Sequence, residues 1–349
     1  GYQLNREIFL SRQGADRMAG AFSDVMVGAD GALYVADWYD PMVGGHGAAD
    51  RQHIGKIYRI APKGFKPSKH NLNTAEEKLA SPSHNVRFVG FQELKHLGSA
   101  AFPRVGKILK NQSPWIAARG IWLLPYFGKQ GINELKKVAT DNNRESGSFH
   151  SVALRSALRY DREGLGWEML EMLSGNQSSH VRRIALTHLR DFSYEKKKRV
   201  ILDLIVSGSM EDRTYLEAVG LAADGSENKL WSDYCNLQNI TSPKDWDREA
   251  HLLAWRLHGN SMVQDMVTRI LMQGVSVDHR LELVSSLAMN RSLPAFEGLK
   301  KVYLESENEK VKDLAKQFLV KGMVHRWKDH PVREFLIANN IIDAKPKPL

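Results

Sequence analysis

The sequence predicts a mainly α-helical protein, a HEAT-like α-solenoid of about eight helical hairpins preceded by a short β-segment. Three observations support this fold class. An apolar pattern that ends in leucine recurs down the chain, amphipathic runs lie between its copies, and strand-like alternation is confined to the first 64 residues. With 349 residues, 42% of them hydrophobic, the chain is long enough to bury a sizeable core.

The β-segment is predicted to occupy residues 1–64 and to contain three strands. FSDVMV (22–27) alternates apolar and polar residues, and ALYVAD (32–37) is rich in β-branched and aromatic residues. Residues 28–31 supply a hairpin turn, because an Asp-Gly pair tolerates positive φ. KIYRIA (56–61) is the third strand. Three strands bury too little surface to be stable alone, so we expect them to pack on the helices or on further sheets.

Three phrases of this segment resemble a known family. DVMVGADGALYVADWYD, GGHGAADRQHIG and GKIYRIAPKG resemble the closing blade of a six-bladed β-propeller related to sugar and sorbosone dehydrogenases. Together they are similar to bacterial proteins called membrane-bound dehydrogenase or haem-binding proteins, which are common in planctomycetes and Bacteroidota. The resemblance is specific over about residues 16–64 and concerns architecture alone over the remainder.

The resemblance implies a larger parent protein, in which HEAT repeats follow the propeller and a cytochrome c domain carrying CxxCH follows the repeats. Such a parent would oxidise a sugar or related alcohol in the periplasm or at the cell envelope and pass electrons to a haem. CxxCH is absent from this sequence, so haem c is expected only in a downstream domain outside this chain, and no cofactor within it. The expected partners are therefore the propeller and cytochrome-type domains of the parent, with this chain a non-catalytic scaffold between them.

The loop between the second and third strands, residues 38–55, contains the best candidates for a catalytic site. In propellers such loops lie on the face where ligands enter, and histidine and aspartate suit a general base or a metal ligand. The candidates are Asp40, His46, Arg51 and His53, and no metal is assigned to them. The alternative interpretation is a tight glycine-rich loop in which the histidines only donate to backbone carbonyls.

The helical repeat is predicted over residues 81–325, between a linker at 65–80 and a C-terminal helix with a linker tail at 326–349. Its anchor leucines are 30 to 36 residues apart: Leu94, Leu124, Leu158, Leu189, Leu221, Leu257, Leu287 and Leu319. Each repeat is then two helices, whose apolar faces are covered by the neighbouring repeats. Four tryptophans at helical spacing are predicted to pack inside or between repeats: Trp115, Trp122, Trp167 and Trp255.

The formal net charge of +9 lies entirely after residue 64, because residues 1–64 contain seven cations and seven acids. Basic residues recur on the anchor helices, and six are predicted to bind a partner: Arg119, Arg155, Arg182, Arg183, Arg213 and Arg280. Such a face suits an acidic protein partner, for example the cytochrome domain. The alternative is an internal ladder, in which each arginine pairs with an acid or a carbonyl of the neighbouring repeat.

Several function classes have no support in the sequence. Cys235 is the only cysteine, which excludes disulfides, thiolate zinc sites and iron–sulfur clusters within the chain. The motifs of serine hydrolases, zinc proteases and phosphate loops are missing, as are an apolar run long enough for a membrane span and a signal peptide in GYQLNREIFL. Nucleic-acid binding is the last alternative at a pI of about 9.4, without a recognition-helix signature or a row of exposed aromatic residues to favour it.

Overall fold

The computed structural model describes residues 5–10, 21–38, 55–67, 73–141 and 148–343. Within these residues the chain forms three β-strands and seventeen α-helices, which confirms the predicted mainly α fold with a small β-segment. Contacts divide the chain into two compact units, Gly1–Met169 and Leu170–Leu349. We call them the N-terminal unit and the C-terminal unit.

The three predicted strands form one antiparallel sheet in the N-terminal unit. Its strands are β1 (Ala21–Val27), β2 (Leu33–Trp38) and β3 (Lys56–Ile60), in the order β1-β2-β3. The predicted hairpin turn joins β1 to β2, with the Gly28 N–H donating to the Ala32 carbonyl. Gly31 has a φ of 83°, which glycine adopts without steric cost.

The helices of the N-terminal unit follow the predicted pairs, with one addition. They are α1 (Ala75–Ala80), α2 (His84–His96), α3 (Phe102–Leu109), α4 (Pro114–Ile121), α5 (Gly128–Thr140) and α6 (Ser148–Tyr160). α1 lies in the stretch predicted to be a linker, and it begins with a capping box between Thr74 and Glu77. Leu79 is buried and α1 packs on α2, so the linker prediction is wrong for residues 75–80.

The anchor leucines have the predicted burial with one exception. Seven of the eight are buried, whereas Leu221 is only half-buried. Leu124 is buried but lies beyond the end of α4, in a 3₁₀ turn over Leu124–Phe127. The cause is Pro125, which lacks an N–H and disfavours the helical conformation of the residue before it.

The helices of the C-terminal unit stack repeat on repeat. After α7 (Trp167–Ser174), which spans the boundary of the units, they are α8 (Ser179–Leu189), α9 (Tyr194–Ser207), α10 (Arg213–Ala222), α11 (Glu227–Gln238), α12 (Arg248–Leu257), α13 (Val263–Leu271), α14 (Val277–Met289), α15 (Leu293–Glu305), α16 (Glu309–Gly322) and α17 (Val332–Ala338). Each even-numbered helix from α8 to α14 packs on the next even-numbered one. This order is typical of solenoid-like repeats.

The packed helices continue past residue 325, where the repeat was predicted to end. Trp327 is buried, with its ring centroid 6.2 Å from that of Phe296. The Arg326 guanidinium donates to the Ala288 carbonyl over 2.6 Å. The predicted C-terminal helix is α17, and it packs on α16. The start of the predicted C-terminal segment is therefore part of the C-terminal unit.

Trp115 departs from the predicted packing of the tryptophans. It is 77% exposed, whereas Trp122, Trp167 and Trp255 are half-buried. Trp115 lies in the first turn of α4, and the buried face of this helix contains Ala117, Gly120 and Ile121 instead. Helical spacing identified the helix correctly but assigned this residue to the wrong face.

Candidate functional site

The β-sheet exposes apolar side chains on both faces. Val25, Val35 and Tyr58 are paired across the three strands and share one face, whereas Ala36 and its partner Ile57 lie on the other. Val25 is 58% exposed and Ile57 is 75% exposed. An apolar residue exposed on each face indicates that both faces are suited to a covering layer.

A carboxylate that the sequence did not single out connects the hairpin turn to β3. Asp30 accepts hydrogen bonds from the Ala32 N–H, the Tyr34 hydroxyl and the Arg59 Nε, the last over 2.7 Å. The hydrogen bond from Arg59 is the main reason why the pKa of Asp30 lies below its ordinary value. Because Asp30 and Arg59 are 29 residues apart, no local pattern indicates this pair.

The predicted catalytic candidates lie outside the described residues: Asp40, His46, Arg51 and His53. The described strands that flank them are β2, which ends at Trp38, and β3, which begins at Lys56 at the end of the sheet opposite the hairpin turn. Asp37 is paired with Lys56 at this end. A catalytic role for the four loop residues stays a prediction.

Three of the predicted partner-binding arginines donate to backbone carbonyls. Arg119 reaches the carbonyls of Leu79 and Ser81, at 2.9 and 3.2 Å. Arg182 donates to three carbonyls, including that of Ser207 on α9, and Arg280 donates to the carbonyls at the end of α13 and in the turn before α14. Burial lowers the pKa of Arg119, with a smaller effect from the charge of Arg87.

The other three predicted arginines differ in their surroundings. Arg183 donates to the Thr214 hydroxyl over 2.6 Å. Arg213 forms an ion pair with Glu217 at 2.7 Å, and its guanidinium lies 4.2 Å from the ring centroid of Trp255. Arg155 is exposed.

Five of the six arginines therefore make contacts within the chain, several of them between repeats, as the internal-ladder interpretation describes. Partner binding by the six stays a prediction.

A charged cluster of the C-terminal unit joins α12 to α14. Both guanidinium NH groups of Arg248 donate to the Glu282 carboxylate, at 2.6 and 3.0 Å. The His251 Nε2 lies 2.9 Å from the same carboxylate, and the His251 ring centroid is 4.9 Å from that of His279. The sequence placed Arg248 and His251 on a helix, but nothing in it indicated Glu282 as their common partner.

His251 is a neutral hydrogen-bond donor in this cluster. Its side chain is 1% exposed, and this burial lowers its pKa to about 4. Because an ionised carboxylate only accepts hydrogen bonds, the proton of the neutral ring is on Nε2. The pKa of Glu282 is lowered chiefly by the hydrogen bonds from Arg248. The cluster therefore connects two repeats by hydrogen bonds and one ion pair.

Within the described residues, no arrangement of side chains activates the thiol of Cys235 or is suited to holding a metal ion. Cys235 is half-buried, and burial raises its pKa to about 11, which keeps the thiol protonated at neutral pH. The described residues contain no group of three or more His, Cys, Asp or Glu side chains suited to holding a metal ion. No described helix has the length and apolar character required to cross a membrane.

These observations define a mainly α-helical, solenoid-like protein with a small antiparallel sheet and with charged contacts between its repeats. A scan against protein-family models finds no match, and a search of the curated proteins finds none either.

Proposed function

We propose that this chain is the HEAT-like scaffold of a larger secreted, dehydrogenase-like and haem-associated protein, and that it is not catalytic by itself. The sheet is then the last blade of a β-propeller, and the helical repeats orient the propeller relative to a cytochrome-type domain. The observation that carries this proposal is the apolar exposure on both faces of the sheet.

A propeller blade needs two apolar faces, because successive blades pack face to face around the central channel. An antiparallel sheet with a single covering layer has one apolar face and one solvated face instead. Val25 and Tyr58 on one face and Met26 and Ile57 on the other are all exposed, which supports the first arrangement. The hydrogen bond from Arg59 to Asp30 joins β3 to the turn between β1 and β2, which supports a blade whose three strands form one unit.

The contacts between repeats support a role as a spacer. Glu282 connects α12 to α14, and Glu217 connects α10 to α12 by accepting from Arg256. Arg119 likewise connects α4 to the turn before α2. Such side-chain bonds resist sliding of one hairpin past the next, so the spacing of attached domains would be maintained.

The sequence of the gene that encodes this chain tests whether the chain belongs to such a larger protein. We expect codons for a secretion signal and further propeller blades upstream, and for a CxxCH motif downstream. An initiation codon directly before Gly1 and a stop codon directly after Leu349 would refute the proposal.

A redox assay tests the absence of catalysis. The chain is incubated with aldoses and alcohols and an artificial electron acceptor, and we expect no reduction of the acceptor above the protein-free rate. Turnover that is abolished by His46→Ala, but retained by the control His84→Ala on the exposed start of α2, would show that the chain itself is catalytic.

A further inference from the structure

The helices α2 to α4 lie in the most one-sided charge distribution of the N-terminal unit. From Lys78 to Asn133 the sequence contains eight lysines and arginines and a single acid, Glu93. Glu93 is paired with Lys78, and Arg104 is paired with Glu76. Six cations remain without an acid of this stretch to pair with: Arg87, Lys95, Lys107, Lys110, Arg119 and Lys129. The charge of Lys107 contributes to the lowered pKa of Glu76, so part of this excess is balanced by an acid just outside the stretch.

Exposed apolar side chains accompany this charge. Phe88 and Val89 lie side by side on α2, where Phe88 is 62% exposed and Val89 is 46% exposed. Trp115 is the most exposed large aromatic residue of the described helices. Exposed aromatic residues are suited to act as anchors of a protein interface.

One side chain of α4 reaches the residues directly before α2. The Arg119 guanidinium, one turn after Trp115, donates to the Leu79 and Ser81 carbonyls directly before α2. Arg87 is near enough for its charge to contribute to the lowered pKa of Arg119. Lys110 is exposed in the turn from α3 to α4. Arg119 therefore links the part of α4 that carries Trp115 to the start of α2, where Arg87, Phe88 and Val89 lie.

We propose that Arg87, Phe88, Val89, Lys110 and Trp115 form a docking surface for an acidic segment of a partner protein. Apolar side chains of that segment contact Phe88, Val89 and Trp115, and its carboxylates lie beside Arg87 and Lys110. We call these five residues the α2–α4 surface. The inference goes beyond the scaffold function, which assigns no partner to this surface, and it does not depend on it.

The chemistry of the α2–α4 surface favours a polypeptide over a nucleic acid. A nucleic acid requires a row of available cations for successive phosphates. Lys95 instead lies 4.2 Å from the ring centroid of Tyr126, and Arg119 is engaged with carbonyls. Val89 offers no π-face for stacking a base, whereas an aliphatic residue beside aromatic ones suits the apolar centre of a protein interface.

Binding of synthetic polyanions to the full chain tests this proposal. The probes are a fluorescently labelled copolymer of glutamate and tyrosine, a glutamate homopolymer of the same length, and a single-stranded thymidine oligonucleotide. We expect the copolymer to bind most tightly, because it offers both charge and apolar contact. Its affinity is expected to fall severalfold between about 50 and about 300 mM salt, since exposed charges are screened.

Substitutions distinguish binding at the α2–α4 surface from nonspecific electrostatic binding elsewhere on the chain. Trp115→Ala and Phe88→Ala should each weaken binding of the copolymer about tenfold or more, as expected for aromatic anchors. Arg87→Glu should weaken both glutamate polymers. The matched controls are Leu304→Ala and Lys310→Glu, an exposed apolar residue and an exposed cation of the C-terminal unit, which should bind as the unchanged chain does.

Each other outcome contradicts the proposal. Unchanged affinity of Trp115→Ala and Phe88→Ala, or an equal loss in Lys310→Glu, would show that the α2–α4 surface is not the binding site. Tighter binding of the oligonucleotide, with loss of that binding in Trp115→Ala, would identify a nucleic-acid site instead. Absence of copolymer binding at low salt would also refute the proposal.

Discussion

Glu282 offers the sharpest test of how the repeats are held together. Its carboxylate is the common acceptor for both NH groups of Arg248 on α12 and for His251 Nε2 on the same helix. Glu282→Ala removes all three hydrogen bonds at once. If the cluster connects the two repeats as its geometry indicates, this substitution should destabilise the C-terminal unit well beyond the effect of losing a surface charge.

The magnitude follows from the burial of the two partners. Without Glu282, the His251 Nε2–H is buried without an acceptor, which costs about 1–3 kcal/mol. The His251 Nδ1 is already buried without a hydrogen-bond partner among the described residues, so the ring cannot compensate by changing its tautomer. Arg248 is one-third exposed, and loss of its ion pair adds up to about 1 kcal/mol after screening by solvent. We expect a decrease of about 1–4 kcal/mol in the free energy of unfolding.

Amide hydrogen exchange, combined with urea unfolding, measures this loss where it occurs. The chain has two compact units, so a single unfolding transition is not assumed. The amides of α12 and α14 should exchange faster in Glu282→Ala, with protection reduced in proportion to the lost stability.

The control is Glu297→Ala, which removes an acid that pairs with Lys300 three residues away on α15. A pair within one helix, here between the exposed Glu297 and the half-buried Lys300, contributes about 0.5 kcal/mol or less. The reasoning would be refuted if Glu282→Ala lowered the stability of the C-terminal unit no more than Glu297→Ala does.

Three further predictions concern burial and close packing. Burial lowers the pKa of His251 from 6.5 to about 4, so on acidification the unfolded chain binds this proton before the folded chain does. The free energy of unfolding should therefore fall by up to about 3 kcal/mol between pH 6.5 and 4. His251→Gln should flatten that part of the curve of unfolding free energy against pH, and an unchanged slope would contradict the assignment. Gly90→Ala should lower the unfolding free energy by about 2 kcal/mol or more, because the added Cβ would lie 2.5 Å from a backbone oxygen of α1. A Cβ at Gly106 on α3 would have no atom within 4 Å, so the control Gly106→Ala should be neutral or stabilising. Since burial raises the pKa of Cys235 to about 11, a thiol reagent at neutral pH should modify it about 100-fold more slowly than it modifies the unfolded chain, and equal rates would show that the thiol is accessible and ionised.

The fold class was predictable because it depends on patterns that repeat along the chain. Anchor leucines at a near-constant interval require helical hairpins that cover one another, and seven of the eight are buried. The Asp-Gly hairpin was equally predictable, since Gly31 must adopt a positive φ. The two exceptions, a helix in the predicted linker and the early end of α4, have local causes. The capping box of Thr74 and Glu77 starts a helix in a predicted linker, and Pro125 ends α4 before Leu124.

The candidate site was less predictable, because its interactions join residues that are distant in sequence. Composition showed an excess of basic residues, but it could not show which arginines donate to carbonyls and which stay exposed. Trp115 has the helical spacing of a core residue and is nevertheless exposed, since its face of α4 has no neighbouring repeat element to cover it among the described residues.

The sequence alone therefore determined that this protein is mainly helical, repetitive and basic, because apolar periodicity and charge are properties of the linear chain. Tertiary structure decided how that charge is used. Glu282 joins Arg248 and His251, which lie 34 and 31 residues earlier, only because stacking brings α12 beside α14. Phe88 and Trp115 remain exposed for a related reason: the contacts made by α2 and α4 bury other residues of these helices, such as Gly90 and Leu94 on α2 and Ala117 and Ile121 on α4.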